Sequence, residues 1–281
     1  MQNLRIPGPT PCPDEILYGS AKPMINHRGP EFRDILFRVS DGLKTVFETR
    51  NDVLTLTTSG TGGLEAAIVN HLSPGEQMLS VSVGVFGDRF AKIAETYGAL
   101  VTRLEFPWGS AADPVRIREA LRENPGITAV CVTHNETSTG VTNDLEDIAL
   151  VVKGEFDKLL LVDAVSSVSS IPCRTDSWGL DVVVSGSQKG WMVAPGLAFV
   201  SVSDRAWKAA AEAKMPRFYF DLAVAKSYLE RGQNPWTPAV SVVYSMDLAL
   251  SKLLDEGMEG VYARHARLGQ MTREGAKGLG L

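Results

Sequence analysis

The sequence predicts an α/β fold in which a mostly parallel sheet carries helices on both faces. Seven short segments rich in β-branched and other apolar residues recur along the chain, and most of them are apolar throughout. Such segments are typical of strands buried on both faces. Amphipathic segments with helical spacing separate them, and this alternation predicts βαβ units. The predicted strands are residues 53–58, 78–83, 100–104, 127–133, 159–163, 182–185 and 197–202.

The N-terminal segment is rich in proline and glycine. Proline withholds a backbone donor and disfavours helix at the preceding residue, so residues 1–30 are expected to form an extended arm. A helix over residues 31–49 follows. Apolar residues at helical spacing then predict a helix over residues 90–97, for which Gly98 is a favourable C-terminal stop.

The remaining helices are predicted from capping residues and apolar spacing. Asp113 and Pro114 supply an N-cap and a first-turn proline in the right order. Asn143 is the predicted N-cap of a further helix, because apolar residues at helical spacing begin two positions later. Two more helices are predicted at residues 239–254 and 261–277.

Composition and charge favour a small-molecule partner. The 281 residues carry a formal net charge of -5 with no basic stripe, so neither nucleic acid nor an anionic membrane surface is expected as a partner. No apolar run approaches the ~20 residues of a membrane span, and no secretory signal opens the chain, which makes the cytoplasm the expected location. Neither a disulfide framework nor a metal site is expected from Cys12, Cys131, Cys173 and the scattered histidines.

Polar loops follow four of the predicted strands, at the edge where parallel strands end. Ser59-Gly60-Thr61-Gly62-Gly63 precedes a helical segment and is suited to an anion, although a simple glycine-rich turn is an equally good interpretation. Asp163 ends an apolar strand and needs a partner or solvent, and capping of the next segment is the alternative. Lys189 and the loop 134–140 complete the set, although one lysine alone is weak support.

Together the loops supply an anion site, a carboxylate and an amine, which is the set that pyridoxal 5′-phosphate requires. That cofactor needs a cradle for its phosphate, a carboxylate beside the pyridine nitrogen and a lysine for a Schiff base.

The sequence resembles the class V aminotransferases of fold type I, most closely the alanine–glyoxylate and serine–glyoxylate aminotransferases. The resemblance extends from Pro7 to the end of the chain, and the order of its motifs is more specific than any single glycine motif. The segments that carry it are Pro7-Gly8-Pro9-Thr10-Pro11, residues 59–67, 84–89, 133–140 and 161–167, and Ser185-Gly186-Ser187-Gln188-Lys189.

The resemblance implies a role for each matching residue. Lys189 would form the Schiff base and Asp163 would pair with the pyridine nitrogen, as the two catalytic residues. Phe86 would stack on the ring, Thr137 would lie near the ring hydroxyl, and Thr237 would reach the phosphate of a neighbouring subunit in a homodimer. The residues implied to hold the phosphate are Thr61, Gly62, Gly63 and Gln188.

The implied activity is transfer of an amino group from a small amino acid, alanine or serine, to glyoxylate or pyruvate by a ping-pong Schiff-base mechanism. Other activities of the class are alternatives, namely 2-aminoethylphosphonate, ureidoglycine or phosphoserine transamination and cysteine desulfuration. A desulfurase needs a mobile nucleophilic cysteine, and none of the three cysteines lies in an obviously suitable loop. A non-catalytic homologue that acts as a binding subunit, like relatives associated with hydrogenase, is a further alternative.

The resemblance also implies a domain division. Residues 31–250 would form the cofactor-binding large domain, and residues 251–281 would begin a small C-terminal domain that is largely missing from a truncated chain. The arginine that binds the substrate carboxylate is expected in that missing part.

Overall fold

A seven-stranded sheet forms the centre of the structure, a computed structural model that describes residues 4–281. All seven predicted strands are present, each within one residue of its predicted bounds. In chain order the strands are β1 (Val53–Thr57), β2 (Gln77–Ser82), β3 (Leu100–Glu105), β4 (Ile127–Thr133), the two-residue strands β5 (Asn135–Glu136) and β6 (Val141–Thr142), β7 (Leu159–Asp163), β8 (Val182–Gly186) and β9 (Leu197–Val202).

The sheet is mostly parallel, as the sequence predicts. Its strand order is β1-β9-β8-β7-β4-β2-β3, while β5 and β6 pair separately as a small hairpin. Strand β9 runs antiparallel to both of its neighbours, and the other pairs in the sheet are parallel. The carboxyl ends of six strands therefore meet at one edge, where ligand sites form in α/β proteins.

Helices cover both faces of the sheet. The α6 helix continues directly into a π-helical segment, Leu150–Glu155. The helices are α1 (Asp14–Ser20), α2 (Pro30–Val46), α3 (Gly60–His71), α4 (Val85–Thr96), α5 (Pro114–Glu123), α6 (Leu145–Ala149), α7 (Asp204–Glu212), α8 (Leu222–Leu229), α9 (Val240–Glu256) and α10 (Met258–Gly278).

Two apolar cores lie on opposite faces of the sheet. Alternation along β8 shows how they divide, since Val183 belongs to the core that includes α2 and α9 whereas Val182 and Val184 belong to the core that includes α3 and α4. All three side chains are completely buried. Because the strands are buried on both faces, their side chains are apolar on both faces, which explains the continuous apolar runs in the sequence.

The N-terminal arm differs from the sequence prediction. Residues 14–20 form α1, so an extended conformation is wrong for that part of residues 1–30. Proline residues end at position 13 in this stretch and resume at 23, which leaves α1 free of their restriction. Residues 1–3 of the predicted arm lie outside the described residues.

The cap of α6 is also corrected. Asp144, one residue beyond the predicted cap, accepts the hydrogen bond from the backbone N–H of Asp147. Asn143 instead donates to the carbonyl oxygen of Thr133 at 2.8 Å and accepts from the N–H of Ala112 at 2.8 Å. Its amide joins two chain segments, which only the tertiary structure brings together.

Two further observations concern the whole described chain. The predicted division between residues 250 and 251 falls inside α9, so the helix is continuous there.

Within residues 4–281 no helix combines the length and the apolar character needed to cross a membrane.

Candidate active site

A cavity of about 290 Å³ opens at the carboxyl ends of the strands. It lies where parallel strands deliver their polar loops, and ligand sites in α/β sheets occupy this position. Six of the residues to which the family resemblance gives a role line it: Thr61, Phe86, Thr137, Asp163, Gln188 and Lys189.

Asp163 lies at the end of β7 and is 3% exposed. Its Oδ1 atom accepts a hydrogen bond from the N–H of Val165 at 3.0 Å, and no other side-chain bond to its carboxylate occurs within residues 4–281. Burial raises the pKa of Asp163 to about 6, above its ordinary 3.8, because the charged form is poorly solvated. The carboxylate therefore lacks a cationic partner at the position it holds.

Lys189 follows β8 in a loop that several bonds fix. The Ser187 hydroxyl donates to the carbonyl oxygen of Ala194 at 2.7 Å, and the indole N–H of Trp191 donates to the Ser185 hydroxyl at 2.9 Å. The lysine is partly buried, and its amine donates to the carbonyl oxygen of Pro7 at 3.0 Å. Burial lowers the pKa of Lys189, and the Asp163 charge opposes that effect.

The N-terminus of α3 presents Thr61 to the cavity, but the next two glycines have another position. The N–H of Gly63 donates to the Ser59 carbonyl oxygen at 3.2 Å, within the helix. A Cβ at Gly63 would lie 2.6 Å from Val184 Cγ1, and one at Gly62 would lie 2.1 Å from Thr58 Oγ1. Both glycines thus allow close packing of the helix, and neither is part of the cavity wall formed by residues 4–281.

Thr237 is exposed and lies away from the wall of this cavity in the described chain. Its implied role concerns a neighbouring subunit, so its contribution to a shared site stays a prediction.

Three further residues have no role assigned from the sequence: Gly8 and Arg89 line the cavity, and Glu136 binds the backbone of the cavity residue Phe86. Glu136 is completely buried and binds the backbone at the start of α4. Arg89 places its guanidinium 4.6 Å from the centre of the Phe86 ring and donates to the Thr61 hydroxyl at 3.3 Å. Gly8 lines the cavity from the N-terminal arm. Of these three, only Arg89 could be found from a local pattern in the sequence. It follows Phe86 by three residues, and residues three apart on a helix lie on one face.

The family model for class V aminotransferases matches residues 15–280. The chain belongs to the class V aminotransferase family. The matched residues include the whole sheet, both layers of helices and every strand whose end contributes to the cavity.

Similar sequences carry names of two kinds. The small subunit of a soluble hydrogenase from Synechococcus sp. is 44% identical over 99% of this chain and 73% of its own length. The L-aspartate–glyoxylate aminotransferase of Paracoccus denitrificans is 38% identical over 98% of this chain and 71% of its own length. This chain thus spans about seven-tenths of the length of each of these relatives.

A solved structure supports the fold of this class V chain. The alanine–glyoxylate aminotransferase from Nostoc sp. superposes with a TM-score of 0.90 at 29% identity, over 96% of this chain and 74% of that one. The family resemblance inferred from the motifs, the fold type I architecture and the assignment as an aminotransferase are confirmed.

Proposed function

We propose that this chain is a pyridoxal-phosphate-dependent transaminase that moves an amino group from a small amino acid to glyoxylate or pyruvate. The observation that carries the proposal is the meeting of the Lys189 amine and the buried Asp163 carboxylate in one cavity beside the N-terminus of α3.

The residues present fit this cofactor. Thr133 Oγ1 and Gln188 Oε1 line the cavity as buried polar atoms without hydrogen-bond partners in residues 4–281. Together with the carboxylate of Asp163, which lacks a cation, these atoms need a polar ligand, since unpaired buried polar groups are costly. We infer that Asp163 would hold the protonated pyridine nitrogen and that Thr61 and Gln188 would hold the phosphate.

The remaining residues act by position. Phe86 offers an aromatic face to a flat ring. Thr137, which lines the cavity, would donate to the ring hydroxyl. We infer no direct phosphate contact for Gly63, because its N–H is bonded inside α3, whereas the N–H of Gly62 in the first turn is a suitable donor.

When bound, pyridoxal phosphate supplies a carbonyl for the amino group and a ring that accepts electrons. Lys189 Nζ would take the proton from the donor's Cα and return it, as general base and then acid. Burial favours the neutral amine that this task needs, because it lowers the pKa of Lys189. Asp163 would supply the negative charge that keeps the ring nitrogen protonated.

Support for the acceptor comes from the names of two relatives, which both include glyoxylate. The donors in those names are aspartate and alanine, so the donor is the less constrained part of the proposal. We propose alanine or serine as the donor and treat aspartate as the competing outcome.

The test measures covalent labelling and turnover together. Purified chain is mixed with pyridoxal phosphate and reduced with borohydride, and peptide mass spectrometry locates the adduct. We expect an adduct at Lys189, none at that position in Lys189→Ala, and normal labelling in Lys92→Ala, whose side chain is on the exposed face of α4. Alanine, serine and aspartate are then assayed with glyoxylate and pyruvate. A wild-type chain with no adduct at Lys189 would overturn the proposal.

The name of the Synechococcus relative supports a second candidate, a binding subunit without catalytic activity. The turnover assay separates the two candidates. A binding subunit would show no amino transfer with any donor, even if a lysine were labelled.

We also propose a homodimer in which Thr237 reaches the phosphate of the partner. Its exposure on the described surface leaves the side chain available for that contact. Sedimentation of wild type and Thr237→Ala, with cofactor affinity measured on both, tests the arrangement. A monomer with full affinity would contradict it.

A further inference from the structure

The N-terminal arm contacts the candidate catalytic lysine through a segment that we call the arm turn, residues 7–10. The carbonyl oxygen of Pro7 accepts a hydrogen bond from Lys189 Nζ at 3.0 Å. Gly8 and Pro9 form part of the cavity wall. A segment 182 residues away in sequence therefore lies against the amine.

Gly8 leaves the space that the lysine occupies. A Cβ added at position 8 would lie 2.6 Å from Nζ of Lys189 and 3.0 Å from its Cδ and Cε atoms. Real Cβ atoms do not approach other atoms to 2.6 Å, so one group would have to move. The end of a lysine side chain is flexible, and the amine would be displaced more readily than the fold.

Thr10 attaches the arm turn to the loop that carries the lysine. Its N–H donates to the carbonyl oxygen of Gln188 at 2.9 Å, and its hydroxyl donates to the carbonyl oxygen of Lys189 at 2.8 Å. The same residue thus sets the distance between the Pro7 carbonyl and the lysine backbone. One segment holds Lys189 at both its main chain and its amine.

A lysine that transfers protons needs contacts that restrict the position of its amine. Whenever the amine is free, four methylene groups allow it many positions, and their rotational freedom must be restricted for efficient proton transfer. A carbonyl oxygen is an acceptor only, so it engages one N–H of the amine and leaves the nitrogen lone pair unbonded.

We propose that the arm turn is the positioning element of Lys189, in which Pro7 holds the free amine, Thr10 fixes its backbone and Gly8 provides the space. The inference rests on the proposed function and deepens it. Pro7, Gly8 and Thr10 are positioning residues, because their contacts are with the lysine rather than with reacting atoms.

The experiment compares four variants of the full chain without cofactor: Gly8→Ala, Thr10→Val, Thr10→Ser and Gly154→Ala. The last adds a methyl group where nothing lies within 4 Å of the Cβ position. Two quantities are measured for each: the thermal unfolding midpoint, and the rate constant for forming the borohydride-trapped adduct of pyridoxal phosphate at Lys189.

We expect the adduct rate to fall about 10-fold in Gly8→Ala, since the amine is displaced by roughly 1 Å. Loss of one hydrogen bond in Thr10→Val should lower the rate about 5-fold, and Thr10→Ser, which keeps the hydroxyl, should restore it to within about 2-fold of wild type. Gly154→Ala should react at the wild-type rate. The midpoints of Thr10→Val, Thr10→Ser and Gly154→Ala should agree within about 4 °C. Gly8 has a backbone φ of +156°, which L side chains rarely adopt, so Gly8→Ala is expected to unfold at a lower temperature.

Wild-type rates in both Gly8→Ala and Thr10→Val would overturn the inference, as would equal losses in Thr10→Val and Thr10→Ser. If Gly8→Ala does not fold, the two threonine variants decide. A wild-type chain that forms no adduct at Lys189 defeats the proposed function itself, whereas labelled wild type with unaffected variants defeats only the role of the arm turn.

Discussion

Glu136 accepts a hydrogen bond from the backbone N–H of Phe86 at 3.0 Å, through a carboxylate that is completely buried. The same oxygen, Oε2, accepts from the N–H of Gly87 at 3.1 Å, while Oε1 accepts from the N–H and hydroxyl of Ser138 at 3.1 and 2.7 Å. A negative charge at the N-terminus of α4 is favourable because the helix dipole and its unpaired N–H groups point there. One carboxylate thereby fixes the Phe86 ring relative to the loop of Thr137.

Replacement of Glu136 tests this arrangement. Glu136→Ala leaves three backbone N–H groups, one buried and two partly buried, without an acceptor, and we expect the free energy of unfolding to fall by about 3 kcal/mol. Urea unfolding measures it. Glu119→Ala, on the exposed side of α5, is the control and should change stability by less than about 0.5 kcal/mol. Equal stability of the two variants would show that the buried carboxylate contributes nothing to the position of the loop.

The raised pKa of Asp163 predicts a pH dependence of stability in the cofactor-free protein. Its folded pKa of about 6 exceeds the ordinary 3.8, so stability contributed by the protonated carboxyl is complete below about pH 4 and is lost as pH rises through 6. Asp163→Asn removes this loss, and we expect it to gain roughly 3 kcal/mol relative to wild type between pH 4 and pH 8. Urea unfolding across that range measures the difference. A constant difference would contradict the assignment.

Arg89 is the subject of a prediction about cofactor affinity. Its guanidinium takes part in no ion pair among residues 4–281, and it donates to the hydroxyl of Thr61. We expect Arg89→Ala to weaken binding of pyridoxal phosphate about 5-fold, the effect of roughly one hydrogen bond, and to leave pyridoxal, which lacks the phosphate, nearly unaffected.

A matched control for Arg89 exists elsewhere in the chain. Arg116 also lies over a phenylalanine ring, 5.5 Å from the centre of Phe106, but it is not part of the cavity wall of the described residues. Arg116→Ala should bind both ligands as wild type does. Equal weakening of the two ligands by Arg89→Ala would assign the arginine to the ring rather than to the phosphate.

Gly63 gives a prediction about stability. A Cβ at this position would lie 2.6 Å from Val184 Cγ1 and 3.1 Å from Ala198 Cβ, where α3 packs on the sheet. We expect Gly63→Ala to lower the free energy of unfolding by about 1–3 kcal/mol, through overpacking. Gly275→Ala, in open space on α10, should be neutral or slightly stabilising because alanine favours helix. A Gly63→Ala protein with the wild-type free energy of unfolding would refute the packing role.

Much of the fold could be predicted because its signals are local. An apolar strand buried on both faces shows its burial in its own residues, and all seven strands of the sheet were found in this way. The connection rules of parallel sheets then bring the ends of those strands to one edge. On that basis the sequence predicts that Asp163 and Lys189 lie at the same edge of the sheet, although 25 residues lie between them in the chain.

The cap of α6 and the arm show where local signals fail. Asn143 and Asp144 are both good capping residues, and tertiary contacts with Thr133 and Ala112 decide between them. Nothing near α1 in sequence indicates that it packs on α9, which lies more than 200 residues later.

The α/β class, the order of the elements and the chemical types of the groups at the sheet edge follow from the sequence alone, because each is encoded in apolar periodicity and in short motifs. Which of these groups are in contact depends on the folded chain. The hydrogen bonds between the Phe86 N–H and Glu136, between Arg89 and Thr61, and between Lys189 and the Pro7 carbonyl join distant segments. Such contacts depend on how helices and loops pack, and packing is a property of the whole folded chain.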